Sequence, residues 1–149
     1  MGCHMTNDMT FSREVHVSFG DCDPAGIVFY PNFYRWFDAT FHGWLRAAGH
    51  PHEMLCAELG AAGIGLMDTG AGFRSPVRDG DRLRITARVE EWATRFVCVR
   101  YDAFVGDRLV VEGFEKRGLF IADGSRLKAG DVSVLRPVLE KKIESDTIS

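Results

Sequence analysis

From Pro31 to Gly49 the apolar residues Phe33, Trp36, Phe37, Phe41, Trp44, Leu45 and Ala48 recur at spacings of three and four, which is one face of an α-helix. Pro31 suits a first helical position, and Gly49 suits the residue just past the end. The stripe contains two Trp and three Phe, a surface too bulky for another short helix to cover. It requires a sheet. Strands are legible on both sides of it. In Phe11–Phe19, Val15, Val17 and Phe19 alternate with His16 and Ser18, and in the second half Leu83, Ile85, Ala87 and Val89 alternate with Arg84, Thr86, Arg88 and Glu90. Val97 to Val105 repeats the pattern, Gly106-Asp107 gives a two-residue hairpin signal, and Leu109–Ala122 predicts a further strand with Gly113 and Gly118 as bulge or bend sites. Pro51–Leu59 predicts a short second helix, and Gly60–Gly65 a loop or the start of an irregular strand. The fold class expected is α+β, with an antiparallel sheet wrapped around one long central helix.

The 149 residues are one domain's worth of chain, expected over residues 10–139. Folding at this length buries roughly two thirds of the unfolded surface, so no metal or disulfide is needed to hold a core. Residues 1–9 begin M-G-C-H-M, which resembles a cloning remnant, and 140–149 read as a polar, frayed tail. A formal net charge of -3 argues against nucleic acid as a partner. No apolar stretch approaches the ~20 residues of a membrane span. Cys3, Cys22, Cys56 and Cys98 form no close pair, which points to the reducing cytoplasm rather than to a disulfide scaffold or a zinc cage.

Several motifs fail on inspection. D-C-D-P-A-G at 21–26 resembles a calcium loop, but Ala25 stands where an oxygen ligand belongs and Asn32 where a bidentate Glu is required. G-A-A-G-I-G-L-M at 60–67 lacks the Lys-Ser/Thr of a phosphate loop. There is no G-x-S-x-G elbow. Cys22, flanked by Asp21 and Asp23, reads as a small, partly buried residue rather than a nucleophile, and His50-Pro51-His52 as surface capping past a helix end. No metal site is predicted.

What remains is Asp23, in the turn before the long helix. A helix start presents unpaired N–H groups and a partial positive charge that can polarise a carbonyl and stabilise an oxyanion. A carboxylate beside it can attack that carbonyl or activate water. Gly26, Ile27, Val28 and Phe29 supply close backbone approach and an apolar wall. The residues alone leave a plainer alternative open, in which Asp21 and Asp23 only cap their turn.

The stretch F-G-D-C-D-P-A-G-I-V-F-Y-P-N-F-Y-R-W-F-D at 19–38 resembles the signature of the 4-hydroxybenzoyl-CoA thioesterase family of the hotdog fold. Phe73-Arg74-Ser75-Pro76, Gly80-Asp81-Arg82-Leu83, Glu91-Trp92 and Arg95-Phe96 follow in family-like order. The resemblance implies an acyl-CoA thioesterase that hydrolyses an aromatic thioester such as hydroxybenzoyl-CoA or benzoyl-CoA. Asp23 is implied as the catalytic carboxylate and the backbone N–H of Tyr30 as the carbonyl-oxygen donor. It also implies an acyl pocket that includes Phe33 and Asp38, although Asp38 could equally pair with Arg35 on its own helix. Arg95, Arg126 and Lys128 are implied for CoA, and the strand after Trp92, W-A-T-R-F, departs from the family's basic cluster by keeping only Arg95. No cofactor is implied beyond the CoA of the substrate itself. Family members work as homo-oligomers, dimers commonly pairing into tetramers. The alternatives are a thioesterase for short aliphatic acyl-CoA or acyl carrier protein, and a non-catalytic acyl-CoA binding module.

Overall fold

The computed structural model describes residues 9–143. Strand β1 (Thr10–His16) precedes the long helix α1 (Pro31–Ala47) and the short helix α2 (His52–Leu59). Strands β2 (Gly63–Phe73), β3 (Arg82–Trp92), β4 (Val97–Val105), β5 (Arg108–Asp123) and β6 (Arg126–Ala129) follow, and helix α3 (Arg136–Leu139) closes the described chain. All strand pairs are antiparallel, in the order β1-β3-β4-β5-β2, with β6 pairing the end of β5. The wrapped sheet expected from the helix stripe is present.

Helix α1 starts at Pro31, as expected, and stops where Gly49 takes a φ of 88° that only glycine adopts freely. Its stripe meets the inward residues of the central strands: Phe37 stacks on Tyr101 at 4.8 Å between centroids, and Trp44 lies parallel to Phe11 of β1 at 6.3 Å. Phe37, Phe41, Trp44 and Leu45 join Leu83, Ile85, Val99 and Tyr101 in one core cluster. The Gly106-Asp107 hairpin joins β4 to β5 as expected.

Two expectations need correction, and a third, open between alternatives, is decided. Gly113 and Gly118 sit in regular register rather than at bulges. They are thin points in the sheet: a Cβ on Gly113 would run into the Phe37 ring, and one on Gly118 would come within 2.6 Å of Met67 Sδ. Of the two readings of Gly60–Gly65, the irregular strand is the one found: β2 begins at Gly63, shifts register between Leu66 and Asp68, and runs for eleven residues, its four glycines hiding the rest of the period-2 pattern from sequence. The chain does not fray from residue 140, because Lys141 Nζ donates to the Ala48 carbonyl at 2.9 Å and Ile143 packs against the core. Residues 1–8 and 144–149, the expected remnant and the rest of the tail, lie outside the described residues. No helix among the described residues is long and apolar enough to cross a membrane.

Candidate active site

The turn from Phe19 to Tyr30 is held by its own backbone. Asp21 accepts from the Ser18 N–H at 2.9 Å and the Ser18 hydroxyl at 3.1 Å, while its carbonyl accepts from the Phe29 N–H and from Asn32 Nδ2, both at 2.9 Å. Asp21 is thus a capping residue. Asp23 donates its N–H to the Ile27 carbonyl at 2.9 Å, and Gly26, at φ 82°, returns its own N–H to the Asp23 carbonyl at 2.8 Å. A side chain at Gly26 would be strained in that conformation. The Val28 N–H then bonds the Val77 carbonyl at 2.8 Å and ties the loop to the segment after β2.

This leaves two reactive-looking groups. Asp23 Oδ1 accepts from the Ala25 N–H at 2.9 Å, and among the described residues Oδ2 accepts nothing. Tyr30 caps α1 with φ -56° and ψ -32°, and its backbone N–H has no acceptor among the described residues. Pro31 behind it carries no N–H at all. Tyr30 is therefore the free donor at the positive end of a seventeen-residue helix.

Beside it opens a cleft of about 330 Å³, lined by Ile27, Val28, Tyr30, Phe33 and the 73–77 segment. Its mouth is aromatic: Phe29 and Tyr30 meet edge to face at 5.6 Å, and Phe73 touches Tyr30 at 6.3 Å and Phe33 at 5.7 Å. Phe29, Tyr30 and Phe73 are 50%, 59% and 47% exposed, an apolar surface that water alone does not favour. Arg74 is held by Glu112 at 2.9 Å, and Arg108 bonds the Ser75 hydroxyl and the Pro76 carbonyl, so the far wall is braced from β5.

The structure thus brings Ile27, Val28, Tyr30 and Phe33 together around the cleft, with Gly26 and Phe29 at the exposed turn beside it. Trp36, by contrast, is core. Asp38 is elsewhere: eight residues beyond Tyr30, it lies about 12 Å further along the helix at 1.5 Å per residue. Its partner is not Arg35 but Arg117 of β5, whose Nη2 donates to Asp38 Oδ1 at 2.6 Å. His42 Nε2 stands 3.6 Å from the same oxygen. Arg117 and Glu115 are buried and joined at 2.9 Å, and Glu115 accepts the Tyr101 phenol proton at 2.5 Å. Burial, then Glu115, holds the Tyr101 phenol well above its ordinary pKa; burial alone would lower that of Arg117, but Glu115 outweighs it. Burial likewise lowers the pKa of His42.

His52 is not a surface cap, because its Nε2 accepts from the Ile64 N–H at 3.1 Å. Arg95, in the β3–β4 turn, and Arg126 and Lys128, on β6, gather at the far end of β5, where Val132 N–H bonds the Thr94 carbonyl and Lys128 pairs with Ile121. The cleft wall meets β5 at Val110, through the Arg74 N–H. From Val110 to Ile121 is roughly 35 Å of strand at ~3.3 Å per residue. One chain does not bring these three residues to the cleft.

Among known proteins, the family model described as "Thioesterase superfamily" matches residues 25–112. The 4-hydroxybenzoyl-CoA thioesterase of Pseudomonas sp. (strain CBS-3) is 32% identical over 129 residues, 83% of this chain and 92% of the relative. The chain belongs to the thioesterase superfamily. A crystal structure of a 4-hydroxybenzoyl-CoA thioesterase complexed with 4-hydroxybenzoyl-CoA superposes with a TM-score of 0.79 at 29% identity, covering 89% of this chain and 99% of that one. A gentisyl-coenzyme A thioesterase superposes with a TM-score of 0.70 at 27% identity, covering 82% and 95%. The wrapped sheet is thus the hotdog fold, and the protein is a thioester hydrolase.

Two features of this thioesterase escaped the sequence reading. The Phe73–Val77 wall of the cleft carries no periodic signal. The Glu115–Arg117 pair did leave one: two charges at the core-facing parity of β5, in register with Val99 and Val97.

Proposed function

We propose that the protein hydrolyses an aromatic acyl-CoA at the Asp23–Tyr30 turn, releasing the free acid and CoA. The observation that carries this is the Tyr30 N–H at the helix start, unbonded among the described residues and on an apolar cleft, in the same turn as Asp23. Asp23 is outside the cleft lining but tied to the lining residue Ile27 through its N–H. The thioester carbonyl oxygen accepts from that N–H, which stabilises the charge developing on it during attack. Asp23, as nucleophile or as base on water, supplies the attack. Because a thiolate leaves without protonation, the chemistry calls for no metal or redox cofactor; CoA is part of the substrate. The acyl ring enters against Ile27, Val28, Phe33 and Phe73. The names of the relatives, each an aryl-CoA thioesterase, support the aromatic class.

The site is completed by a second copy. Strand β2 has β5 on one side and no strand on the other among the described residues, and it exposes Leu66 and Met67. Two β2 edges meeting antiparallel lay the Phe73 end of one copy beside the Gly63 end of the other. That arrangement carries Arg95, Arg126, Lys128 and Asp38 of the second copy toward the first copy's cleft, where the cations meet CoA phosphates and Asp38 meets the acyl ring. This reading makes residues 10–139 one catalytic domain. A reducing cytoplasm suits the free cysteines Cys22, Cys56 and Cys98 among the described residues.

The test is thiol release from aromatic, short-chain and long-chain acyl-CoAs by the wild type and by Asp23→Asn. Preferential cleavage of aromatic esters, lost ~10²-fold or more in the variant, is the expected result. An active Asp23→Asn enzyme overturns the mechanism, and preference for an aliphatic chain overturns the substrate. Sedimentation as a monomer overturns the shared site.

A further inference from the structure

Asp38 is half exposed on α1, and a short side chain at such a position ordinarily samples several rotamers. Here one of its oxygens is fixed from beneath. Arg117 Nη2 holds Oδ1 at 2.6 Å, while Oδ2 accepts nothing among the described residues. The guanidinium has little freedom of its own: Nε is bonded to Glu115, Nη1 lies 3.4 Å from the Ile64 carbonyl, and its plane sits over the Phe41 ring at 4.3 Å from the centroid. Glu115 is in turn fixed by the Tyr101 hydroxyl, and Tyr101 by its stack on Phe37. Four elements, α1, β2, β4 and β5, therefore converge on one buried fork that ends in one exposed carboxylate.

We infer that Arg117 is a positioning residue for acyl selection: it sets the Asp38 carboxylate with its free oxygen outward, ready to accept a hydrogen bond from a hydroxyl on the acyl group. The inference rests on the reading above that Asp38 meets the acyl ring. A carboxylate edge held in one orientation favours a hydroxylated ring over its bare analogue, because the bare ring leaves the acceptor desolvated and unpaired. Lysine cannot replace the fork, since its point charge does not serve Glu115 and Asp38 along two fixed directions.

The experiment compares kcat/KM for 4-hydroxybenzoyl-CoA with that for benzoyl-CoA in the wild type, Arg117→Lys, Asp38→Ala and the double variant, with Tm recorded for each. The wild-type ratio is expected to favour the hydroxylated ester by about tenfold or more. Asp38→Ala brings the ratio close to one. Arg117→Lys lowers it to nearly the same value, chiefly through KM, and the double variant adds nothing further. Arg117→Met combined with Glu115→Gln removes the guanidinium without stranding a buried carboxylate; it gives the same loss if Arg117→Lys does not fold. A purely structural Arg117 lowers Tm and both substrates alike and leaves the ratio intact, which overturns the inference. An unchanged ratio in Asp38→Ala overturns instead the placement of Asp38, and a wild type that cleaves neither ester overturns the acyl-CoA reading beneath both.

Discussion

Asp23 lies just before helix α1 and Asp38 within it, yet the surroundings of the two carboxylates are opposite. Around Asp23 the polar groups are left partly unused among the described residues: a spare carboxylate oxygen, an N–H without an acceptor, and aromatic rings half in water. Around Asp38 every buried polar group is engaged, from Tyr101 through Glu115 to Arg117. The first region forgoes stability to stay ready for a ligand; the second spends buried charge on fixing geometry. Changes at the first should therefore alter rate with little effect on stability, whereas changes to the buried network of the second should cost stability as well as acyl selectivity.

The largest expected effect is on the second region. Arg117→Met leaves Glu115 buried without its cation and is expected to lower the unfolding free energy by about 3–5 kcal/mol in urea titration. Adding Glu115→Gln, whose amide oxygen still accepts from Tyr101, recovers most of it; a small loss in the single variant would erase the contrast. Next, Asp23→Asn keeps an oxygen for the Ala25 N–H, so its ~10²-fold loss of kcat should come with an almost unchanged melting temperature. A fall in Tm comparable to that of Arg117→Met would show that Asp23 is a capping residue like Asp21. Gly113→Ala pushes a methyl group into Phe37 and is expected to cost about 1–3 kcal/mol of stability without reaching the cleft, read by denaturation alongside kcat.

The smallest effect is on pH dependence. Burial lowers the His42 pKa below its ordinary 6.5, with Arg117, His52 and Arg46 acting in the same direction and Asp38 opposing them. The unfolded chain therefore binds a proton before the folded one does. Stability should fall as pH drops below about 6.5, down to the folded-state value, and His42→Gln should flatten that decline in melting scans between pH 7 and 5. An identical decline in the variant would assign the effect to other groups.

The helix and the alternating strands were legible because each buries one face, and burial of one face imposes a period. Only the irregular start of β2 was, since its glycines break the alternation: at Gly65 and Gly70, Phe120 and Phe114 fill the space a side chain would occupy, and at Gly72 Arg74 does. The Asp23 turn was legible as a turn because its hydrogen-bond partners are local backbone groups, written in adjacent residues. The link from Asp38 to Arg117 joins positions 79 apart and depends on register, which no short window contains. The distance of Arg95, Arg126 and Lys128 from the cleft was hidden for the same reason.

The donor at Tyr30 belongs to the main chain, so the side chain at that position can drift without disturbing it. Phenylalanine, leucine or alanine there would change the cleft wall but leave the N–H in place. Proline alone deletes it, and the φ of -56° already suits a proline ring. On the proposed mechanism, half of the site is thus invisible to alanine scanning and to any comparison of side chains, and the acyl pocket can diversify at residue 30 while the proposed oxyanion donor stays fixed.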